Sequence, residues 1–350
     1  GGVAEGEVAL RLQRAGGADG QLAAFVGGED LIVGKLGDVM DVGITDVRHG
    51  CQSIASDRIF PVFHAKVFRG TMVPMTLTLN DGSTIPQIGL GTWQLTGEEG
   101  YRAIRLALEL GYRHLDTASA YGNEEVVGRA VLDAIAAGDV TREELFITSK
   151  AWQDEQGTTE TPRACRGSLD RLGLEYLDLY LVHWPHATQG RYVEAYEAVA
   201  KLQGLGLVQS VGVANFYEEV LREIVDKVGV VPATNQVELH PGFSQQPLRE
   251  LHAELGVTTV AWSPLGRGAS LRSGAVDAVA REVGATPAQV ALQWAMQLGC
   301  VVIPKSAHPR RLEQNLQAGT FPLTRAQMAR ICELDDEPGA GRIFEDPRSF

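Results

Sequence analysis

Gly111-Tyr-Arg-His-Leu-Asp-Thr-Ala-Ser-Ala-Tyr-Gly-Asn123 is the stretch from which the fold can be read. Gly111 stops a helical run, His114–Ala118 reads as a short strand, and the loop after it opens the next helix at Asn123. Asp116 then stands at the strand's end and Tyr121 in the loop beyond. A carboxylate at a strand end and a phenol five residues on suggest a proton-transfer site.

The same rhythm repeats on both sides. Strands are expected at Ile88–Trp93, His114–Ala118, Leu145–Lys150, Leu177–Trp184, Gln209–Phe216, Asn235–His240, Thr259–Leu265 and Cys300–Lys305. Between them lie amphipathic helical windows at Glu98–Leu110, Asn123–Ala137, Thr161–Leu172, Tyr192–Leu202, Glu218–Val228, Pro247–Leu255, Pro287–Leu298 and Pro309–Gln317. Several end at glycine, where a left-handed residue costs little. Eight such units predict a closed parallel (β/α)8 barrel. A doubly wound sheet is the alternative, but Gly89-Leu-Gly-Thr-Trp-Gln and Gly204-Leu-Gly-Leu-Val-Gln both lack the third glycine of the dinucleotide fingerprint. Ahead of the first strand, Thr76–Leu79 and Thr84–Ile88 flank Asn80-Asp-Gly-Ser, a hairpin placed to close the barrel's bottom, with Asp81-Gly82 expected to supply positive φ angles. Thr324–Leu334 would be one extra helix.

Residues 1–75 differ from the rest. They hold 13 of the 40 glycines and no tryptophan or tyrosine, and sustained periodicity is hard to find. We expect two parts: 1–75, for which a disordered extension, a small accessory domain and sequence upstream of a true start at Met72 or Met75 compete, the last favoured, and 76–350, the barrel.

Composition narrows the function. A formal net charge of −13 argues against a nucleic-acid or anionic-membrane footprint. The four scattered cysteines contain no C-x-x-C, which suits reduced thiols in a cytoplasm better than a zinc ribbon or disulfide framework. No run of about 18 apolar residues is present.

A barrel enzyme works at the C-terminal ends of its strands. Asp116, Tyr121, Lys150, His183-Trp184, Asn215, Gln236, Glu238, His240, Trp262 and Lys305-Ser306 all fall there. A buried ammonium beside a phenol favours phenolate; a carboxylate keeps that ammonium charged; an imidazole can fix a substrate oxygen. Singly, each has a plainer reading, as a loop cap, a solvated edge, a packing phenol or a core histidine. Four of them on adjacent strand ends favour the chemical one. A metal site through His183 and His186 is weighed against, because a proline separates them from any helix that would align two imidazoles.

Gly111–Glu124, Phe146-Ile-Thr-Ser-Lys150, Leu181-Val-His-Trp-Pro185, Asn235-Gln-Val-Glu-Leu-His-Pro241 and Ile303-Pro-Lys-Ser306 give residues 76–350 a close resemblance to the aldo-keto reductase family, NADP-dependent carbonyl reductases on a (β/α)8 barrel. Trp262-Ser-Pro-Leu-Gly-Arg-Gly268 and Asp346-Pro-Arg-Ser-Phe350 are similar to the bacterial branch that includes 2,5-diketo-D-gluconic acid reductases. The resemblance implies Asp116, Tyr121, Lys150 and His183 as a catalytic tetrad with Tyr121 the acid. It implies NADP(H) held by Thr92, Asn215, Gln236, Trp262, Ser263, Leu265, Lys305, Ser306, Arg311, Gln314 and Asn315, with Lys305, Ser306 and Arg311 on the 2′-phosphate. Ala214 stands where the family commonly has serine, a lost hydroxyl contact of about 1 kcal/mol. Trp93, Trp152, His183 and Trp184 would line the mouth for a small-molecule carbonyl. Monomer is the family default. An NADP-binding sensor with little turnover is the alternative, disfavoured by an intact tetrad, and a metal-dependent hydrolase is a more distant one.

Overall fold

The computed structural model describes the backbone of residues 11–14, 21–26 and 29–35, and residues 75–349. The first three segments are β1 (Arg11–Arg14), β2 (Gln21–Val26) and β3 (Glu29–Lys35), an antiparallel sheet in that order within a unit of its own. Gly27-Gly28, one of the interruptions that obscure periodicity in the sequence, falls between two of these strands. The remainder of the expected N-terminal extension lies outside the described residues.

The barrel begins with the hairpin β4 (Thr76–Thr78) and β5 (Thr84–Pro86). Its turn differs from expectation, because Gly82 alone has a positive φ, at 87°. Leu79 N–H donates to Ser83 O at 2.8 Å and Gly82 N–H to Leu79 O at 3.0 Å, so three residues make the connection and one glycine suffices. Leu79 and Ile85 are buried with Phe146, Leu179, Val260 and Val301 inside the barrel. Asn80 Nδ2 donates to Pro232 O at 3.0 Å, and the Ser83 and Ser210 hydroxyls are 2.8 Å apart. Both partners sit where strands begin, so the hairpin plugs the bottom.

Eight parallel strands follow in sequence order: β6 (Leu90–Gly91), β7 (His114–Asp116), β8 (Phe146–Ala151), β9 (Leu177–Val182), β10 (Val208–Ala214), β11 (Thr234–Glu238), β12 (Thr258–Trp262) and β13 (Val301–Val302). The ring closes where Gly89 N–H donates to Val302 O at 2.8 Å and Val302 N–H to Gln87 O at 2.9 Å. This is the (β/α)8 barrel that the pattern implies. Around it run α1 (Gly97–Leu110), α2 (Glu124–Ala137), α3 (Glu160–Leu172), α4 (Tyr192–Gly204), α5 (Glu218–Val228), α6 (Gln246–Leu255), α7 (Gly274–Val283), α8 (Pro287–Gln297), α9 (Pro309–Leu316) and α10 (Arg325–Cys332). Helix α7 has no counterpart among the expected elements; it follows the glycine-rich loop after β12.

Two glycines show how the quoted stretch is set in place. Gly111 takes φ 109°, so its N–H reaches Leu108 O at 3.1 Å and Tyr112 N–H reaches Ala107 O at 2.9 Å, which turns α1 into β7. Gly89 leaves room for the His114 ring, since a Cβ there would lie 2.6 Å from His114 Nδ1. His114 is buried, edge-on to Phe146, and 3.3 Å from Thr148 Oγ1. Burial lowers its pKa to about 4. It fills the barrel below the rim and carries none of the chemistry above it.

Candidate active site

Asp116 ends β7, and Lys150 lies one residue before the end of β8. Parallel pairing sets Asp116 opposite Thr148, so Lys150 rises past it and turns its ammonium back. Nζ lies 2.5 Å from Asp116 Oδ1, 2.9 Å from Thr117 O and 3.4 Å from Tyr121 Oη. No part of the Lys150 side chain reaches solvent. A second donor, Gln236 Nε2 at the rim of β11, holds Asp116 Oδ2 at 2.7 Å. The carboxylate is therefore clamped from two strands, with one oxygen committed to the ammonium.

Tyr121 ends a 3-10 turn, Ser119–Tyr121, and its neighbours explain why that turn stays put. Ser119 Oγ donates to Glu155 Oε2 at 2.5 Å, and Trp152 N–H donates to the same oxygen at 2.7 Å. Asn123 Nδ2 donates to Thr92 O at 2.7 Å and Leu95 O at 2.9 Å, while Thr117 Oγ1 donates to Asn123 Oδ1 at 2.9 Å. Thr92 in turn donates its hydroxyl to Asp116 O at 2.9 Å. Glu155 and Asn123 are supporting residues that sequence reading missed. No motif marks them, because their work is to hold a loop whose shape appears only in three dimensions.

His183 follows β9 and meets both aromatic neighbours edge-on, Tyr121 at 5.7 Å and Trp152 at 4.9 Å between ring centroids. Its ring makes no hydrogen bond among the described residues, and its Nδ1 is buried. Burial and then the Lys150 charge push its pKa well below the ordinary histidine value, so the ring is neutral at neutral pH. Asp116, Tyr121, Lys150 and His183 thus come together.

Electrostatics correct one expectation. Burial pushes Tyr121 above the ordinary tyrosine value; Lys150 pulls the other way and does not overcome it. The phenol stays protonated. Burial also works against the charge on Lys150, yet Asp116 and Tyr121 outweigh it and hold that pKa above the ordinary lysine value.

The residues expected around a nicotinamide are in reach of this cluster. Asn215, at φ 63°, gives Nδ2 to His183 O at 2.9 Å and receives Trp262 Nε1 on Oδ1 at 2.9 Å. Each end of that amide keeps one more hydrogen-bonding position, so a carboxamide could still be met. Ala214, beside it, is buried in the inner cluster. Ser263, at φ 47°, and partly buried Leu265 follow Trp262 on the same rim. Past β13, Lys305 is exposed and Ser306 buried, with Ser306 Oγ accepting from His308 N–H at 3.1 Å. Arg311, Gln314 and Asn315 lie on α9, with Arg311 exposed and Asn315 buried. Lys305 and Arg311 have no carboxylate partner among the described residues. Two unpaired cations and a hydroxyl at one strand-to-helix turn suit a phosphate dianion.

Of the expected aromatic wall, Trp152 and Trp184 are half-buried near His183, and Gln156 Nε2 donates to Trp184 O at 2.6 Å. Trp93 stands further out, 42% exposed. Arg267, at φ 50°, carries its guanidinium 5.3 Å from the Trp93 centroid and 4.1 Å from that of Phe344. Among the described residues no three His, Cys, Asp or Glu side chains are grouped to hold a metal ion.

The aldo/keto reductase family profile matches residues 87–336, which include the whole cluster. The chain belongs to the aldo/keto reductase family. It is similar to an aldo-keto reductase of Mycobacterium sp. (strain JLS), 48% identical over 274 residues, covering 78% of this chain and 97% of the relative. One of Mycolicibacterium smegmatis is 45% identical over 274 residues, with the same shares. Among crystal structures, a mutant of Gox0644 in complex with NADPH is 42% identical with a TM-score of 0.75, over 79% of this chain and 99% of that one. The Bombyx mori aldo-keto reductase AKR2E4 in complex with NADP is 35% identical with a TM-score of 0.71, over 76% and 94%. This aldo/keto reductase is accordingly an oxidoreductase on a barrel scaffold. No described helix is long and apolar enough to cross a membrane.

Proposed function

We propose that the chain reduces aldehydes or ketones to alcohols with NADPH, and that Tyr121 delivers the proton. The observation that carries this reading is fully buried Lys150, in contact with both Asp116 and Tyr121 beside a neutral His183. A binding-only barrel has no use for that arrangement, since burying an ion pair costs several kcal/mol per charge before the attraction is counted.

The roles follow from charge. As the carbonyl oxygen gains negative charge, Tyr121 donates its proton, and the Lys150 ammonium stabilises the phenolate left behind. Asp116 keeps Lys150 charged. His183, neutral, offers an N–H that orients the oxygen without a competing charge. When bound, the nicotinamide supplies the hydride. Asn215 and Gln236 hold its carboxamide and Trp262 its ring face, with Thr92, Ser263 and Leu265 alongside. Lys305, Ser306 and Arg311 take the 2′-phosphate, and Gln314 and Asn315 the adenine. The relatives solved with NADPH and NADP support that choice over NADH. The same groups run the oxidation in reverse. Trp93, Trp152 and Trp184 form the walls of the mouth, which favours small or flat carbonyls.

The test is NADPH consumption against diketo-sugar acids, methylglyoxal and aromatic aldehydes, with Tyr121→Phe alongside. At least one class is reduced, and the Phe variant loses about 10²–10⁴-fold in kcat, the usual worth of a positioned acid. Reduction of none, or full activity in Tyr121→Phe, overturns the proposal.

A further inference from the structure

Asn215 stands at φ 63°, a left-handed backbone that asparagine adopts more readily than most residues but still at a cost. The strand ladder supports it on one side only. Pairing of β10 with β11 ends at Ala214 opposite Gln236, and Asn215 N–H donates to Gln236 O at 2.8 Å. Helix α5 takes over where Leu221 N–H reaches Tyr217 O at 2.9 Å. Phe216 falls between the two. Its ring is buried edge-on to Tyr192, 5.8 Å between centroids, which fixes where the residue sits but not how its peptide groups are turned.

Asn235 turns them. It precedes Gln236 on β11, so strand alternation sends its side chain to the opposite face, outward from the barrel. There it is completely buried, with Nδ2 donating to Phe216 O at 2.7 Å and Oδ1 accepting Phe216 N–H at 3.4 Å. One amide thus pairs both backbone groups of the residue after Asn215, as a neighbouring strand would. The second Nδ2 hydrogen meets His252 Nε2, on α6, at 2.9 Å. An amide N–H only donates, so Nε2 accepts, and the ring proton sits on Nδ1 and is donated to Thr259 Oγ1 at 2.8 Å. Burial, and then the Arg249 charge, lowers the His252 pKa to about 3, which keeps the ring neutral at neutral pH. A continuous set of contacts therefore runs from His252 through Asn235 and Phe216 to Asn215 at the rim.

We propose that Asn235, steadied by His252, is a positioning residue for the cofactor's nicotinamide. It holds the turn that keeps Asn215 left-handed, and with it the amide that meets the carboxamide. This rests on the reading of Asn215 as a carboxamide holder. Neither Asn235 nor His252 touches the cofactor; both act through the backbone of Phe216.

Binding by the full chain tests this, with NADPH, NADH and adenosine 2′,5′-bisphosphate as probes. The last carries an adenine and a 2′-phosphate but no nicotinamide. Asn215→Ala sets the scale and weakens NADPH about tenfold, the worth of a lost hydrogen bond to a neutral group. Asn235→Ala weakens NADPH and NADH about fivefold each and leaves the bisphosphate within about twofold. His252→Leu, which leaves both bonds to Phe216 in place, gives the same split at about threefold, and His252→Gln, which offers an acceptor of similar reach, restores wild-type binding. A general loosening of the barrel would weaken the bisphosphate as much as NADPH, and that outcome overturns the proposal. So does unchanged NADPH binding in Asn235→Ala. Should that variant not fold, His252→Leu decides, and NADPH binding equal to wild type refutes the brace. If Asn215→Ala itself binds NADPH as tightly as wild type, it is the carboxamide reading of Asn215 that fails, and the brace has no cofactor to serve.

Discussion

Lys150 Nζ lies 2.5 Å from Asp116 Oδ1, and neither side chain is more than 2% exposed. A pair this deep is net favourable only with further hydrogen bonds, and here Gln236 and the Thr117 carbonyl provide them. The pair therefore serves two ends, holding β7, β8 and β11 together at the rim and keeping a cation next to Tyr121.

Lys150→Met separates those ends. It leaves Asp116 buried without its countercharge, so unfolding free energy falls by about 3–5 kcal/mol. It also removes the cation that stabilises a developing phenolate, and kcat falls by about 10²-fold or more. Lys150→Met with Asp116→Asn recovers part of the stability and none of the activity. Urea unfolding and NADPH oxidation measure the two separately; recovery of both together would mean that the rate loss is only a folding defect.

The pH dependence follows from the directions of the shifts. Tyr121, pushed up by burial, stays protonated at neutral pH, and His183, pushed down, stays neutral. The reduction rate is then flat from about pH 6 to 9 and declines only above about pH 10, the ordinary tyrosine value. Lys150, held above its ordinary value, contributes stability that is complete below about pH 10.4 and is lost as pH climbs through its folded value. A kcat/KM profile with a limb near pH 6.5 would assign His183 a charge that its surroundings disfavour.

Lys305 and Arg311, exposed and without carboxylate partners among the described residues, set up a cofactor test. Lys305→Met or Arg311→Met weakens NADPH binding by about 10–100-fold each, the worth of one hydrogen bond between charged groups. NADH binding, with no 2′-phosphate, changes little. Fluorescence titration of both cofactors decides it, and equal losses for the two would move the phosphate elsewhere.

Much of this site is legible in the chain because a parallel barrel turns strand ends into neighbours. Once Gly111 ends a helix and His114–Asp116 reads as a strand, Asp116, Lys150 and His183 must share a rim. Other features are not written so directly. Helix α7 does have apolar Val276, Val279 and Ala280 on one face, but Gly266 and Gly268 ahead of it and Gly274 at its start read as loop. The direction of the Tyr121 shift depends on how completely the phenol is buried, and spacing says nothing of that. Glu238 grips backbone N–H groups 105 and 106 residues away, and a backbone donor leaves no mark in a sequence.

The rim site should also be complete without what precedes the barrel. Met75 begins the described part of the barrel; its carbonyl accepts Gln87 N–H at 2.7 Å and its side chain packs against the outer core. The plug at the bottom, Leu79 and Ile85, and the rim cluster both come from residues after 75. For a chain beginning at Met75 we expect kcat/KM within about twofold of the full chain's, because every residue placed at the site follows Met75. Calorimetry and steady-state kinetics on the two chains make the comparison. A markedly lower Tm would show that residues 1–74 contribute to the barrel's stability, and a changed KM at equal Tm would place part of that segment at the mouth.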